Sequence, residues 1–109
     1  MRAGQTVYLS GVTGMDSGGH LVGTDDPVSQ IEQAFSNFAV SLASVGADWS
    51  NLVRWTVYLT HARYLEAWQQ VRSAHIAKEN RPAGTLLIVA GLAVQEMIVE
   101  IDGIALIDL

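Results

Sequence analysis

Cysteine is absent from this chain of 109 residues. Disulfides, thiol nucleophiles and zinc–thiolate centres are thereby excluded, and a reducing compartment suits the chain. Positive charge is scarce as well. Six lysines and arginines stand against eleven acids, for a formal net charge of −5. The six are scattered, so no basic patch exists to hold a nucleic-acid backbone, and no nucleic-acid partner is expected. Long apolar runs are missing. The longest, Leu86–Ala90, falls far below the roughly 20 residues a membrane-spanning helix needs. The N-terminal M-R-A-G-Q is too polar for the apolar region of a signal peptide. A cytoplasmic protein without a membrane partner is the expectation.

Several catalytic patterns are lacking too. His20, His61 and His75 do not have metal-ligand spacing, and no H-E-x-x-H occurs. No G-x-S-x-G is present for a serine nucleophile, and no phosphate loop ending in Gly-Lys. Neither metal nor cofactor is expected. Trp49, Trp55 and Trp68 suit core or interface packing better than base stacking, given the acidic balance.

What is present is a chain that is half hydrophobic and only 16% charged. That supports one packed domain over residues 1–109, with some surface left to bury against other copies. Val7–Leu9 reads as a short strand ending at Ser10-Gly11. The turn signal Asp16-Ser17-Gly18-Gly19 and a weaker strand, His20–Val22, would complete a hairpin. Asp26 and Pro27 open a helix as cap and first residue. Val28, Ile31, Ala34, Phe35, Phe38, Leu42 and Val45 make its inner face, and Gly46 stops it. Leu52–Thr60 alternates, with Val53, Trp55, Val57 and Leu59 on the covered side. A second helix over Arg63–Lys78 carries Tyr64, Leu65, Trp68, Val71 and His75 inward, and Arg81-Pro82 breaks it. Strands over Thr85–Ala90 and Met97–Leu106 follow. The order is β-β-α-β-α-β-β, an α+β fold with two helices packed on one face of a mixed sheet.

The last strand sets Glu100 and Asp102 on one face of an apolar segment, since side chains alternate along a strand. An acid there must be paired or exposed.

Four stretches carry a family likeness: A-G-Q-T-V-Y-L-S-G (Ala3–Gly11), Q-I-E-Q-A-F-S-N-F (Gln30–Phe38), V-G-A-D-W-S-N-L-V-R-W-T-V-Y-L-T (Val45–Thr60) and V-E-I-D-G-I-A (Val99–Ala105). In this order and spacing they resemble the Rid/YjgF family of enamine–imine deaminases, formerly called L-PSP endoribonucleases. The resemblance implies a homotrimer built as a chorismate-mutase-like trimeric barrel. It also implies a small-molecule ligand bound in clefts between subunits.

The resemblance further implies that Glu100 matches the glutamate that positions water for attack on an imine. A carboxylate in a low-dielectric cleft suits that task. It also implies that Ser10 and Gly11 bring backbone groups near the ligand, and that Thr85 and Leu86 line the cleft. The chain departs from the pattern where the deaminases hold the substrate carboxylate with an arginine in P-x-R. Here the residues are Pro82-Ala83-Gly84, so Gly84 stands in the arginine's place. The deaminases' aromatic N-terminal segment has no counterpart in these residues. Trp68 falls where many members have a small polar residue facing the pocket. Arg81 is the nearest replacement cation, or else a cation complementing the helix end. Asp102 reads as a structural or interface acid. Two functions follow: a divergent deaminase or related hydrolase not specific for 2-imino acids, or a non-catalytic trimer that senses a ligand or binds a partner.

Overall fold

The computed structural model describes residues 1–108 of the chain, so the last residue of the expected 1–109 domain lies outside the described residues. Five strands form one sheet in the order β1-β2-β5-β3-β4. They are β1 (Arg2–Ala3), β2 (Thr6–Val12), β3 (Leu52–Leu59), β4 (Ala83–Ile88) and β5 (Val99–Leu106), and the helices are α1 (Pro27–Ala43) and α2 (Leu65–His75). β3 and β4 run parallel, joined through α2, and the other neighbours are antiparallel. The sheet is therefore mixed, as expected. No helix is long and apolar enough to cross a membrane among the described residues.

α1 begins as its sequence dictates. The Asp26 carboxylate accepts from the Ser29 backbone N–H at 3.3 Å and from its hydroxyl at 2.7 Å, and Pro27 follows at the first position. These bonds hold the Asp26 carboxyl below its ordinary range. Past the helix, Gly46 takes φ +74°, which lets the chain turn away. The helix buries Ile31, Ala34, Phe35, Phe38 and Leu42 against the sheet. Phe35 stands at the centre of an aromatic cluster, with ring centroids 5.4 Å from Trp49, 6.0 Å from Trp55 and 5.1 Å from Trp68. The tryptophans thus pack with the core. His75 stacks on Phe35 and reaches Glu32 of α1 at 2.7 Å, tying the two helices together.

Two local expectations are corrected. The strand paired with β2 in a hairpin is not His20–Val22 but β1, with Arg2 opposite Val7 across a turn where Gly4 has φ +64°. β5 holds the other edge of β2, so no edge remains for His20–Val22. The expected turn at Asp16 does form, through bonds of 2.9 Å from the Gly18 and His20 N–H groups to Asp16, but it closes only a single bridge between Met15 and Leu21. Asn37 of α1 takes up the carbonyls of Thr13 and Met15 in place of a strand neighbour. The second correction lies in β3. The register to β5 shifts between Leu52 and Arg54, a bulge that leaves Val53 exposed. The covered face is Leu52, Trp55, Val57 and Leu59.

Candidate functional site

Pairing across β5, β3 and β4 sorts the candidate residues onto two faces. Gly103, Trp55 and Gly84 lie in one row, and Ile101, Val57 and Leu86 in the next. These rows face the helices, where Ile101, Val57 and Trp55 are buried. Asp102, Thr56 and Thr85 form a row on the opposite, helix-free face, and so do Glu100, Tyr58 and Leu87. Within one chain, then, Glu100 and Gly84 do not face each other. The sheet itself separates them.

On the helix-free face, Glu100 lies against the bend that ends β2. A Cβ added to Gly11 would stand 2.6 Å from Glu100 Oε2, so glycine is what allows this approach. Gly11 thus sits beside Glu100. Glu100 is half-buried, and its carboxylate accepts no hydrogen bond among the described residues. Asp102 is engaged differently. The Tyr58 hydroxyl donates to it at 2.9 Å. That bond, followed by burial and the charges of Asp102 and Glu100, pushes the Tyr58 phenol above its ordinary value of 10.0. Beside them Arg54 donates to the Thr85 hydroxyl at 2.8 Å. The face therefore carries a carboxylate free to accept, a second held by a phenol, and exposed apolar neighbours in Tyr8, Leu87 and Leu106.

On the helix side, at the β4 edge, lies a cavity of about 210 Å³. Trp68, Arg81, Gly84, Thr85 and Leu86 all border it, joined by Trp55 and Arg72. Five of the expected ligand residues border it, Thr85 from a row that belongs to the helix-free face, while Glu100, Ser10 and Gly11 stand apart. Trp68 is buried and packs on Trp55 with centroids 5.3 Å apart. Gly84 is not an open gap. A Cβ there would collide with the Trp55 ring, lying 2.6 Å from its Nε1 and closer still to Cδ1. Arg81 lies six residues beyond α2 in sequence, and its guanidinium reaches the Ser73 hydroxyl in the last turn of that helix at 3.4 Å.

Arg72 and Tyr58 were not singled out in the sequence. A signal existed for each. Arg72 is four residues past Trp68 on the same helix face, and Tyr58 is on the uncovered side of an alternating strand. No group of metal-ligating side chains occurs among the described residues.

The fold has known counterparts. The family model described as Endoribonuclease L-PSP matches residues 1–107. The chain belongs to the Rid/YjgF family. A human 2-iminobutanoate/2-iminopropanoate deaminase is 32% identical over 103 residues, spanning 94% of this chain and 73% of that protein. The crystal structure of RidA from an Antarctic Psychrobacter superposes with a TM-score of 0.90 at 29% identity, covering 98% of this chain and 85% of that one. A putative endoribonuclease from Thermotoga maritima gives a TM-score of 0.90 at 26% identity, covering 98% and 83%. This Rid/YjgF chain matches their fold over nearly all of its own length, and it places a glycine under an indole at the start of β4.

Proposed function

We propose that the chain is a Rid-like homotrimer that takes a small organic ligand in clefts between subunits. There Glu100 directs water at the C=N bond of a substrate lacking the usual α-carboxylate. One observation carries this reading. The Glu100 carboxylate is half-buried against Gly11, accepts no hydrogen bond among the described residues and lies on the face without helices. A carboxylate so placed can accept a proton from water and return it to a leaving amine. The exposed Tyr8, Leu87 and Leu106 on that face supply apolar surface for subunits to bury. Imine-trapping assays test the chemistry. A neutral imine hydrolysed faster with the protein than without, and no faster with Glu100→Gln, supports it.

A second reading, a trimer that senses a ligand or binds a partner without catalysis, is favoured by Gly84. The indole of Trp55 fills the position where the family's carboxylate grip would begin. Ligand binding without turnover of any imine supports this reading over the first.

A further inference from the structure

Tyr58 lies directly opposite Glu100 in the antiparallel pair β3–β5, and Asp102 follows two residues further along β5. All three are on the helix-free face, and each is half-buried. Opposed residues in such a pair have Cβ atoms about 4.5–5.5 Å apart, so the phenol has two carboxylates within reach. It has a single hydrogen to give. The hydroxyl gives it to Asp102, at 2.9 Å, and makes no bond to Glu100 among the described residues.

Glu100 therefore keeps lone pairs that a donor directly opposite would otherwise occupy. The phenol oxygen, its hydrogen spent on a carboxylate, faces a ligand as an acceptor only. Polarisation by the carboxylate makes it a stronger acceptor, because bonds in a chain reinforce one another. The Asp102 bond also keeps the phenol protonated above its ordinary value of 10.0, so the arrangement persists at neutral pH. The spacing admits one water. Residues two apart on a strand are separated by roughly 6.5–7 Å. A water bonded on both sides at about 2.8 Å spans about 5.6 Å, which fits between the Glu100 carboxylate and a phenol oxygen drawn toward Asp102.

We infer that Tyr58 is the second holder of the attacking water, its oxygen accepting one water O–H while Glu100 accepts the other, and that Asp102 is the positioning residue that keeps the phenol's hydrogen off Glu100. This rests on the proposed imine chemistry and deepens it. With both hydrogens fixed, a lone pair of the water faces the substrate carbon. When the imine is protonated at nitrogen, the water oxygen bonds that carbon, the C=N π pair goes to nitrogen, and one water proton passes to Glu100. Glu100 returns that proton to the nitrogen. The carbon–nitrogen bond then breaks with its pair on ammonia, and the hydroxyl proton that Tyr58 had held follows, leaving a carbonyl compound and ammonium.

Initial rates on the imine that an amine oxidase releases from benzylamine, taken over a range of concentrations against a trapping agent, test the assignment. Tyr58→Phe keeps the ring and is expected to lower kcat about ten-fold or more, with KM changed less than about two-fold. Asp102→Ala is expected to lower kcat at least as far, because the freed hydroxyl turns to Glu100. Asp102→Asn still offers the phenol an oxygen and is expected to retain more activity than Asp102→Ala. Tyr58→Phe added to Asp102→Ala is expected to cost nothing further. Thermal unfolding checks that each variant folds, and Tyr58→Phe with Asp102→Asn decides the matter if Asp102→Ala does not. Should Glu100→Gln abolish turnover while folded Tyr58→Phe keeps the parent's kcat, the imine chemistry stands and this assignment is overturned. A rise in KM alone, or additive losses from Tyr58→Phe and Asp102→Ala, overturns it as well. A parent protein that hydrolyses no imine removes both.

Discussion

The indole of Trp55 occupies the space into which any side chain at Gly84 would project. The two residues are directly opposite each other in the parallel pair β3–β4. A side chain at position 84, where the resemblance sets the family's substrate-holding arginine, would meet a tryptophan from the neighbouring strand.

Gly84→Arg is therefore expected to destabilise the fold by roughly 1–3 kcal/mol, the usual cost of overpacking. Pairing it with Trp55→Ala should cost less than the two single changes added together. Urea unfolding of the four proteins in the cycle measures that coupling.

Gln30 is a buried polar residue on the inner face of α1. Its amide accepts from the Ile98 N–H at 2.7 Å and donates to the carbonyl of Glu96 at 3.2 Å, clamping the loop before β5. Gln30→Leu keeps the bulk and strands both groups. A loss of roughly 1–3 kcal/mol in denaturant unfolding is expected, with faster amide exchange at Ile98.

Tyr58 is expected to contribute to stability at alkaline pH. Its folded pKa lies above the ordinary 10.0, mainly because its hydroxyl donates to Asp102. A group raised in the folded state contributes its stability below the unfolded pKa and loses it as pH rises through the folded one. Stability should therefore decline above about pH 10, and Tyr58→Phe should flatten that decline. Thermal unfolding followed from pH 8 to 11 in both proteins reads the difference.

The helix-free face is expected to be buried between subunits. Light scattering should give about three times the chain mass of 11.7 kDa. Leu87→Asp, placed on that face beside Tyr58, should shift the mass toward the single chain by burying an unpaired charge. A parent protein at the monomer mass would refute the assembly.

Strong periodicity made most of the fold legible. α1 declared itself through its cap, its apolar face and Gly46, and β3 through alternation. Two features escaped because their causes are not local. His20–Val22 has the composition of a weak strand, but β1 and β5 already hold both edges of β2. Val53 looked like a core residue because the bulge that turns it outward is set by pairing with β5. The site was legible as residue types and not as faces. Glu100 and Gly84 come near in sequence, yet only the strand register reveals that the sheet divides them. Arg72 passed unnoticed because an arginine on a helix is ordinarily solvated. Here it borders a cavity with Arg81 and two indoles.

Imine turnover measured side by side on two substrates tests the central claim most directly. An amine oxidase supplies a neutral imine, an amino-acid oxidase supplies 2-iminopropanoate, and a trapping agent reports what remains of each. The account predicts accelerated hydrolysis of the neutral imine, its loss in Glu100→Gln, and little or no effect on 2-iminopropanoate. Fast hydrolysis of 2-iminopropanoate, or turnover that survives Glu100→Gln and disappears in Asp102→Asn, would contradict it.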